Sequence, residues 1–536
     1  MYSKCQRPTL EGLGGETVNV IQRIKNFFRR GGYALTGQTL KSINDHPKIN
    51  IDPDELTRIE RNIRQYEGDY PQVEYVNSHG HVKKRDYMTL NLRKLSADVL
   101  SGLVFNEKCE ITVSDAKDED KKENNFKSAH DFIEHVFEHN KFKENLSDYL
   151  EPMFALGGLT VRPYVDPDTS EIEFSWALAN AFYPLRSNSG GISEGVMKSV
   201  TTKIEGNRTI YYTLLEFHEW ERDQQGNSLY VITNELYKSE SSSEVGKRVP
   251  LEEIYEGMEE TTYIKGLSRP LFNYLKPSGF NNISLHSPLG LGIADNSVST
   301  LRKINDTYDQ FWWEIKMGQR TVFVSDAMLN TIPDESGLPP RQIFDPDVNV
   351  YKSMRMGTDE EFVKDVTSDI RTEQYISAIN QSLRTLEMEL KLSVGTFSFD
   401  GRSMKTATEI VSENDMTYRT RNDHVYEVEQ FIKGLVVSVL ELAKVYKLFS
   451  GEIPTFEHIG VDFDDGVFQD RAALLRFYGQ AKTFGFIPTG EVIQRVFKVP
   501  KETAEEWLKE IQNEQLAIDP TEINERTARH MFGDEE

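Results

Sequence analysis

The 536-residue chain is 38% hydrophobic and 11% aromatic, and its 62 lysines and arginines against 86 acidic residues give a net charge of -24. That length exceeds one ordinary hydrophobic core and implies several units, while the acidic balance opposes generic nucleic-acid binding, whose affinity comes from Lys and Arg displacing counterions. An uninterrupted apolar stretch of about 18 residues is absent, which excludes a helical membrane span, and Cys5 and Cys109 are too few for a disulfide framework or a four-cysteine metal site.

Residues 1–15, MYSKCQRPTLEGLGG, lack the pattern of a secretory signal, and with so few cysteines a reducing compartment fits. VNVIQRIKNFF, residues 18–28, is a short basic amphipathic run of the kind that packs on its own protein more often than on a membrane surface. Asp52-Pro53-Asp54 supplies a cap, a first-turn proline and acidic residues for a second helix. A third helix is expected over residues 85–106 with Leu92, Leu95, Val99 and Leu103 on one face, followed by a strand in CEITVSD. After the polar run 116–127, a helix is expected near Phe132–Phe154. GGLTVRPYVDPDTSEIEFSWA then reads as a hairpin, and TIYYTLLEFHEWER and SLYVITNELYKS as a meander, so residues 160–285 are β-rich.

Between Ala294 and Met317, apolar residues at Val298, Leu301, Ile304, Tyr308, Phe311 and Ile315 fall in steps of three and four, which predicts one long helix. Residues 320–364 hold short strands, RTVFVS and NVYKSM, around a proline-rich loop and read as a small excursion. A second long helix follows, with Ile376, Ile379, Leu383, Leu386 and Leu390 close to a heptad seam. SVGTFSFDGRSMKTATEI, residues 393–410, breaks the helical run with glycines and the unusual loop aromatics Phe397 and Phe399. Residues 405–447 are helical again, with Gly434 as the expected kink. TFEHIGVDF is expected as a strand, and short helices close the chain in RAALLRFYGQAKTFG, TGEVIQRVF and KETAEEWLKEIQNE.

Few motifs offer chemistry. HVFEH, residues 135–139, fits a zinc-peptidase spacing in which His135 and His139 share a helix face beside Glu138. It needs a third ligand, and the blander reading buries Val136 and Phe137 and leaves the histidines at the exposed edge. VDFDDG, residues 461–466, departs from the calcium-loop spacing. GGLTVRP, residues 157–163, lacks the Gly-Lys-Ser/Thr ending of a phosphate loop. No G-x-S-x-G or C-x-x-C sequence occurs. The chain therefore offers no credible catalytic set, metal site or cofactor site.

The order of parts resembles tailed-bacteriophage portal proteins, in particular the branch found in siphophages of Gram-positive bacteria. The residues that carry the resemblance are LVFNE at 103–107, GGLTVRPYVD at 157–166, YDQFWWEIKMGQRTVFV at 308–324, DIRTEQYISAINQSLRTLE at 369–387 and VGTFSFDGRSMKTATEIVSEN at 394–414. The resemblance implies a noncatalytic α+β protein with a mixed α/β wing (residues 1–293), a first stem helix (294–319), a small β-containing clip (320–364) and a second stem helix (365–392). A tunnel loop (393–404), a long wing helix with a return strand (405–466) and a helical crown (467–536) follow. It implies a virion protein, assembled in the host cytoplasm without a membrane partner, that forms a ring of usually twelve copies at one capsid vertex. Its partners would be double-stranded DNA passing through the channel, the terminase large subunit, a head-completion adaptor, and the major capsid and scaffolding proteins.

On that resemblance Val394, Gly395, Thr396, Phe397, Ser398, Phe399, Asp400, Gly401, Arg402 and Lys405 would line the DNA channel. The stripe Leu301, Ile304, Tyr308, Phe311 and Ile315 with Ile376, Ile379, Leu383, Leu386 and Leu390 would form the seam between copies, as an apolar stripe without a partner in its own chain. Acidic walls would keep DNA from sticking during passage. The alternative function is a soluble zinc metallopeptidase built on HVFEH.

Overall fold

The computed structural model describes residues 39–76, 81–106, 108–114, 126–318, five short strands between 322 and 365, 369–398 and 415–463, then 471–497, 504 and 507–511. The expected helix at 18–28, most of the polar run 116–127 and the segment 399–414 lie outside the described residues. The chain divides into two compact units, Met1–Phe463 and Asp464–Glu536.

Helix α1 (Pro53–Glu67) begins as its sequence dictates: the Asp52 side chain accepts from the Asp54 N–H at 3.0 Å, and Pro53 sits in the first turn. Strands β2 (Val73–Val76) and β3 (Val82–Arg85) form an antiparallel hairpin. That pairing moves the start of helix α2 (Leu92–Val104) away from the expected Arg85. The inward face of α2 is displaced too, because Leu92, Arg93, Ser96, Ala97, Leu100 and Val104 are buried while Leu95 is exposed. The helix expected near Phe132–Phe154 is two, α3 (Lys127–His139) and α4 (Phe142–Leu156), broken where Lys141 takes a left-handed φ of +47°. Asn140 holds this corner. Its Nδ2 donates to the carbonyls of Val136 (2.9 Å) and Ile172 (2.7 Å), and its Oδ1 accepts from the Phe174 N–H at 3.1 Å.

The expected hairpin forms as β5 (Leu159–Val165) and β6 (Ile172–Leu178), in register Val165 to Ile172, with β13 (Asn273–Leu275) on its other side. The meander forms as β9 (Arg208–Arg222) and β10 (Ser228–Ser239). These belong to a seven-stranded sheet in the order β1 (Thr39–Leu40), β11 (Gly246–Val249), β10, β9, β8 (Gly191–Glu205), β7 (Phe182–Asn188), with β12 (Thr261–Lys265) also on β10. The expected strands in CEITVSD and TFEHIGVDF find each other: β4 (Glu110–Val113) pairs antiparallel with β19 (Ile459–Asp462).

Long helices α5 (Val298–Met317), α6 (Thr372–Glu389) and α7 (Asp415–Val445) follow the expected pattern. Between α5 and α6 lie β14 (Val322–Ser325), β15 (Thr331–Ile332), β16 (Arg341–Gln342), β17 (Tyr351–Met354) and β18 (Val363–Asp365), of which β17, β14 and β18 form a small sheet. The largest core cluster joins α2, α3, α4 and β5 to the apolar face of α7, whose Ile432, Leu435, Val436, Val439 and Leu440 are fully buried. Gly434 serves a close approach: α7 runs unbroken across it, and an added Cβ would lie 2.6 Å from the Arg269 guanidinium and 2.8 Å from Asn273 Oδ1. In the second unit, α8 (Arg471–Thr483) and α9 (Thr489–Phe497) match expectation, with Val492, Ile493 and Val496 buried.

A buried ion cluster fixes where α5 starts. Asp295, immediately before α5, lies 2.7 Å from Arg58 Nη1, 3.1 Å from Arg61 Nη2 and 3.2 Å from Arg93 Nη1, and it accepts from the Gly292 N–H at 2.8 Å. Arg58 also donates to Glu55 (2.6 Å) and to the Gly290 carbonyl (3.0 Å). The glycines beside it permit close backbone packing: a Cβ on Gly157 would lie 2.6 Å from the Gly290 carbonyl oxygen, and one on Gly292 would lie 2.3 Å from that of Ala155.

Removing one side of a buried ion pair strands the other, so Asp295→Asn is expected to lower stability by about 3–5 kcal/mol, read as an earlier urea midpoint. His424, on α7, accepts at Nδ1 from the Ser278 N–H at 3.0 Å and packs edge-on to Phe154. Burial, outweighing nearby Asp423, lowers its pKa to about 4. Above its ordinary value near 6.5 both folded and unfolded chains hold it neutral, and as pH falls from there toward 4 only the unfolded chain gains the proton. Stability is therefore lost across that window, and His424→Gln, which keeps an acceptor, is expected to flatten the slope by up to about 1.4 kcal/mol per pH unit in thermal unfolding against pH.

Candidate functional site

Helices α5 and α6 form an antiparallel pair. At the inner end Thr300 Oγ1 donates to Glu389 Oε1 at 2.9 Å, and at the outer end Arg371 and Tyr375 meet Glu314. Leu301, Ile304, Leu383, Leu386 and Leu390 are buried in the same cluster as Phe431 and Leu435 of α7. This part of the stripe thus has partners within its own chain, contrary to the expectation that it lacks them, because α7 and α2 complete the core around it. The outer half differs. From Gln310 to Gly318 and from Asp369 to Gln381 no residue is buried. Tyr308, Phe311 and Ile379 are half-buried, whereas Ile315 and Ile376 are 43% and 49% exposed and Met317 is 67% exposed.

Two polar contacts hold this outer half. Arg371 donates to Glu314 from its backbone N–H, Nε and Nη2, the last at 2.6 Å, and Tyr375 OH donates at 2.8 Å while its ring stacks on Phe311. These hydrogen bonds, Arg371 first, bring the Glu314 carboxyl down to about 2. On the other side Arg85 of β3 forks onto Asp309 with two 2.6 Å bonds and lies over the Trp313 ring at 4.6 Å.

The loop after α6 begins with a Schellman turn. Lys391 takes the left-handed position (φ +56°), its N–H reaches the Met388 carbonyl and that of Leu392 the Glu387 carbonyl. Two threonines of α7 then fasten the chain: Thr420 Oγ1 donates to the Lys391 carbonyl at 2.7 Å, and Thr417 Oγ1 accepts from the Ser393 N–H at 2.8 Å. The side chain of Glu387 is the central anchor. Fully buried on α6, it accepts from the backbone N–H groups of Gly395 (3.1 Å), Phe397 (2.5 Å) and Ser398 (2.7 Å) and from Ser398 Oγ (3.1 Å).

Of the expected channel residues, Val394 (59%), Gly395 and Thr396 are exposed, whereas Phe397 and Ser398 are buried. Phe397 joins the main core. Phe399, Asp400, Gly401, Arg402 and Lys405 lie outside the described residues. Gly395 sits at φ +97° with its N–H held by Glu387, a pinned turn that favours glycine. Sequence reasoning passed over Glu387. The available signal was an acid placed beside the seam Leu383, Leu386, Leu390, just ahead of a run rich in small residues whose amides need acceptors.

HVFEH lies on α3 as the blander reading expects: Val136 and Phe137 are buried, and His135, Glu138 and His139 are exposed. The two imidazoles stack with centroids 6.4 Å apart. Among the described residues no third His, Cys, Asp or Glu joins them in a group able to hold a metal. Asp462 lies in β19 and the rest of the acidic run, 464–466, is outside the described residues.

The helix pair is rooted in the core, spans a small β insertion, and is followed by an anchored loop and a long core helix. The family model described as "Phage portal protein, SPP1 Gp6-like" matches residues 45–516. The chain belongs to that family, a structural and not an enzymatic one. Among solved structures, a chain from "Neck of empty GTA particle computed with C6 symmetry" is 10% identical, with 77% of this chain and 91% of that one covered and a TM-score of 0.38. No curated protein matches. No helix among the described residues is long and apolar enough to cross a membrane.

Because hydrogen bonds to a charged group are each worth about 1.5–3 kcal/mol, Glu387→Gln is expected to speed amide exchange at Gly395, Phe397 and Ser398 roughly tenfold or more, with amides of α4 unchanged. Exchange measured by mass spectrometry or NMR reads this directly, and an unchanged loop would show that Glu387 is not its anchor.

Proposed function

We infer that this chain forms the portal ring at one capsid vertex, a channel through which double-stranded DNA is packaged and later ejected. Residues 294–319 and 365–392 serve as its stem, 320–364 as the clip that meets the terminase large subunit and then the head-completion adaptor, and 393–404 as the channel loop. The body around them, 1–293 and 405–466, is the wing facing major capsid and scaffolding proteins, and 467–536 the crown. The observation that carries the reading is the outer half of the α5–α6 pair, which leaves Ile315, Met317 and Ile376 without cover while its inner half is sealed in the core. Apolar residues on a clasped, projecting helix pair call for a neighbour, and copies related by rotation provide one on each side. A net charge of -24 per chain gives a channel that lets phosphate slide and does not retain it.

Negative-stain images of the purified chain are expected to show rings, with sedimentation near twelve times 61.6 kDa; a monomer would overturn the reading. Ile376→Lys is expected to raise the concentration needed for ring formation and to leave thermal unfolding of the single chain unchanged. Within the loop, Val394→Asp is expected to spare ring assembly and impair DNA packaging or retention in a phage assay. Phe397→Ala would instead lower stability by about 3–5 kcal/mol, because it empties a core position.

A further inference from the structure

Residues 267–272 bridge the seven-stranded sheet to α7. Toward α7 the Ser268 N–H donates to Glu441 at 3.1 Å, and just beyond the bridge Asn273 Nδ2 donates to Ser438 Oγ at 3.1 Å. Toward the sheet the Leu271 N–H donates to the hydroxyl of Tyr230 on β10 at 3.1 Å. That hydroxyl lies 2.8 Å from Nδ1 of His218, whose Nε2 lies 2.6 Å from Glu216 Oε1, and Arg162 of β5 donates to Glu216 Oε2 at 2.8 Å. Tyr230 and His218 are fully buried and Glu216 is nearly so, with Phe272 edge-on to the imidazole.

The donors available fix where the protons sit. Burial raises the Glu216 carboxyl, but Arg162 and His218 outweigh it and bring it down to about 2. Glu216 therefore accepts, and His218 carries its proton at Nε2. Nδ1 of the neutral ring is then bare and accepts from the Tyr230 O–H, while the Tyr230 oxygen accepts from Leu271. A second proton, at Nδ1, would aim a donor at the Tyr230 oxygen, and the hydroxyl hydrogen has no second acceptor among the described residues. A buried hydroxyl stranded in that way is costly. Burial, outweighing Glu216, accordingly pushes His218 below its ordinary value. The other charged groups facing this chain are Glu194 of β8, beside Tyr230, and across the bridge Arg269 and Glu441.

We propose that Glu216, His218 and Tyr230 form an acid-operated joint, which ties the seven-stranded sheet to the 267–272 bridge while His218 is neutral and releases the bridge when His218 takes up a proton. Above about pH 6.5 the imidazole is neutral whether the joint is closed or open. Below it only the open joint takes the proton, so opening gains up to about tenfold for each pH unit until the closed ring titrates as well.

Amide exchange in the full chain, resolved by residue and corrected for the intrinsic pH dependence of exchange, reads this directly. The Leu271 amide is expected to lose protection by up to about tenfold per pH unit below about 6.5, while the Ser268 amide, held by Glu441, and those of Phe431–Leu440 in α7 keep theirs. His218→Gln, which takes up no proton, is expected to abolish that dependence. Should this variant not fold, the parent chain with 15N-labelled histidine decides, and there His218 is expected to show a bare Nδ1 and a protonated Nε2 near neutral pH. An Nδ1–H tautomer, Leu271 protection that ignores pH, or a pH dependence that survives in His218→Gln would overturn the joint. Loss of protection along α7 in step with Leu271 would mark global unfolding and overturn it as well.

Discussion

Asp295 and the three arginines around it are the constraint on which the rest of the molecule depends. A buried carboxylate must be matched by charge and by hydrogen bonds in fixed directions, and here the match draws Arg58 and Arg61 from α1 and Arg93 from α2 to the turn immediately before α5. The position from which the long helix pair leaves the core is thereby set by chemistry that does not tolerate sliding. The glycines at 157, 290 and 292 belong to the same constraint, since backbone must pass backbone closely for the arginines to reach.

The same device recurs at the other end of the pair. Glu387 gathers four donors from the loop that follows α6, and Thr417 and Thr420 bind that loop to α7. Both the entry to α5 and the exit from α6 are thus governed by buried carboxylates, while the Glu314–Arg371–Tyr375 contact and the Arg85 fork clasp the outer half between them. Hydrogen bonding is concentrated where loop and core meet, and exposed apolar surface lies on the outer half of the pair.

What was legible in the sequence follows from the range of the forces. Local signals worked: the Asp52 cap, the hairpin at 159–178, and the period of α5 and α6 all depend on nearby residues. The break at Asn140 was missed because its cause is remote, a side chain satisfying carbonyls of α3 and β6 together. The face of α2 was misplaced for a similar reason: Arg93 turns inward toward remote partners, Asp295, Gln65 and the Ala155 carbonyl. Of the loop, the aromatics were seen to need a reason, and Phe397 has one in the core; that Glu387 would hold the turn was not visible, since an acid on a helix is ordinarily solvated.

The pairing of β4 with β19 has a consequence for the order in which the molecule is made. Residues 110–113 and 459–462 lie far apart in the chain, and the core that α2, α3 and α4 share with α7 is likewise completed only by late segments. At synthesis rates of about 5–20 residues per second, roughly 20–70 seconds separate the emergence of β4 from that of its partner. During that interval Leu100, Phe142, Leu146 and Phe154 have no α7 to cover them, so the nascent chain is most vulnerable to aggregation while its earliest helices wait, and the last stretch of the unit acts as the closing stitch.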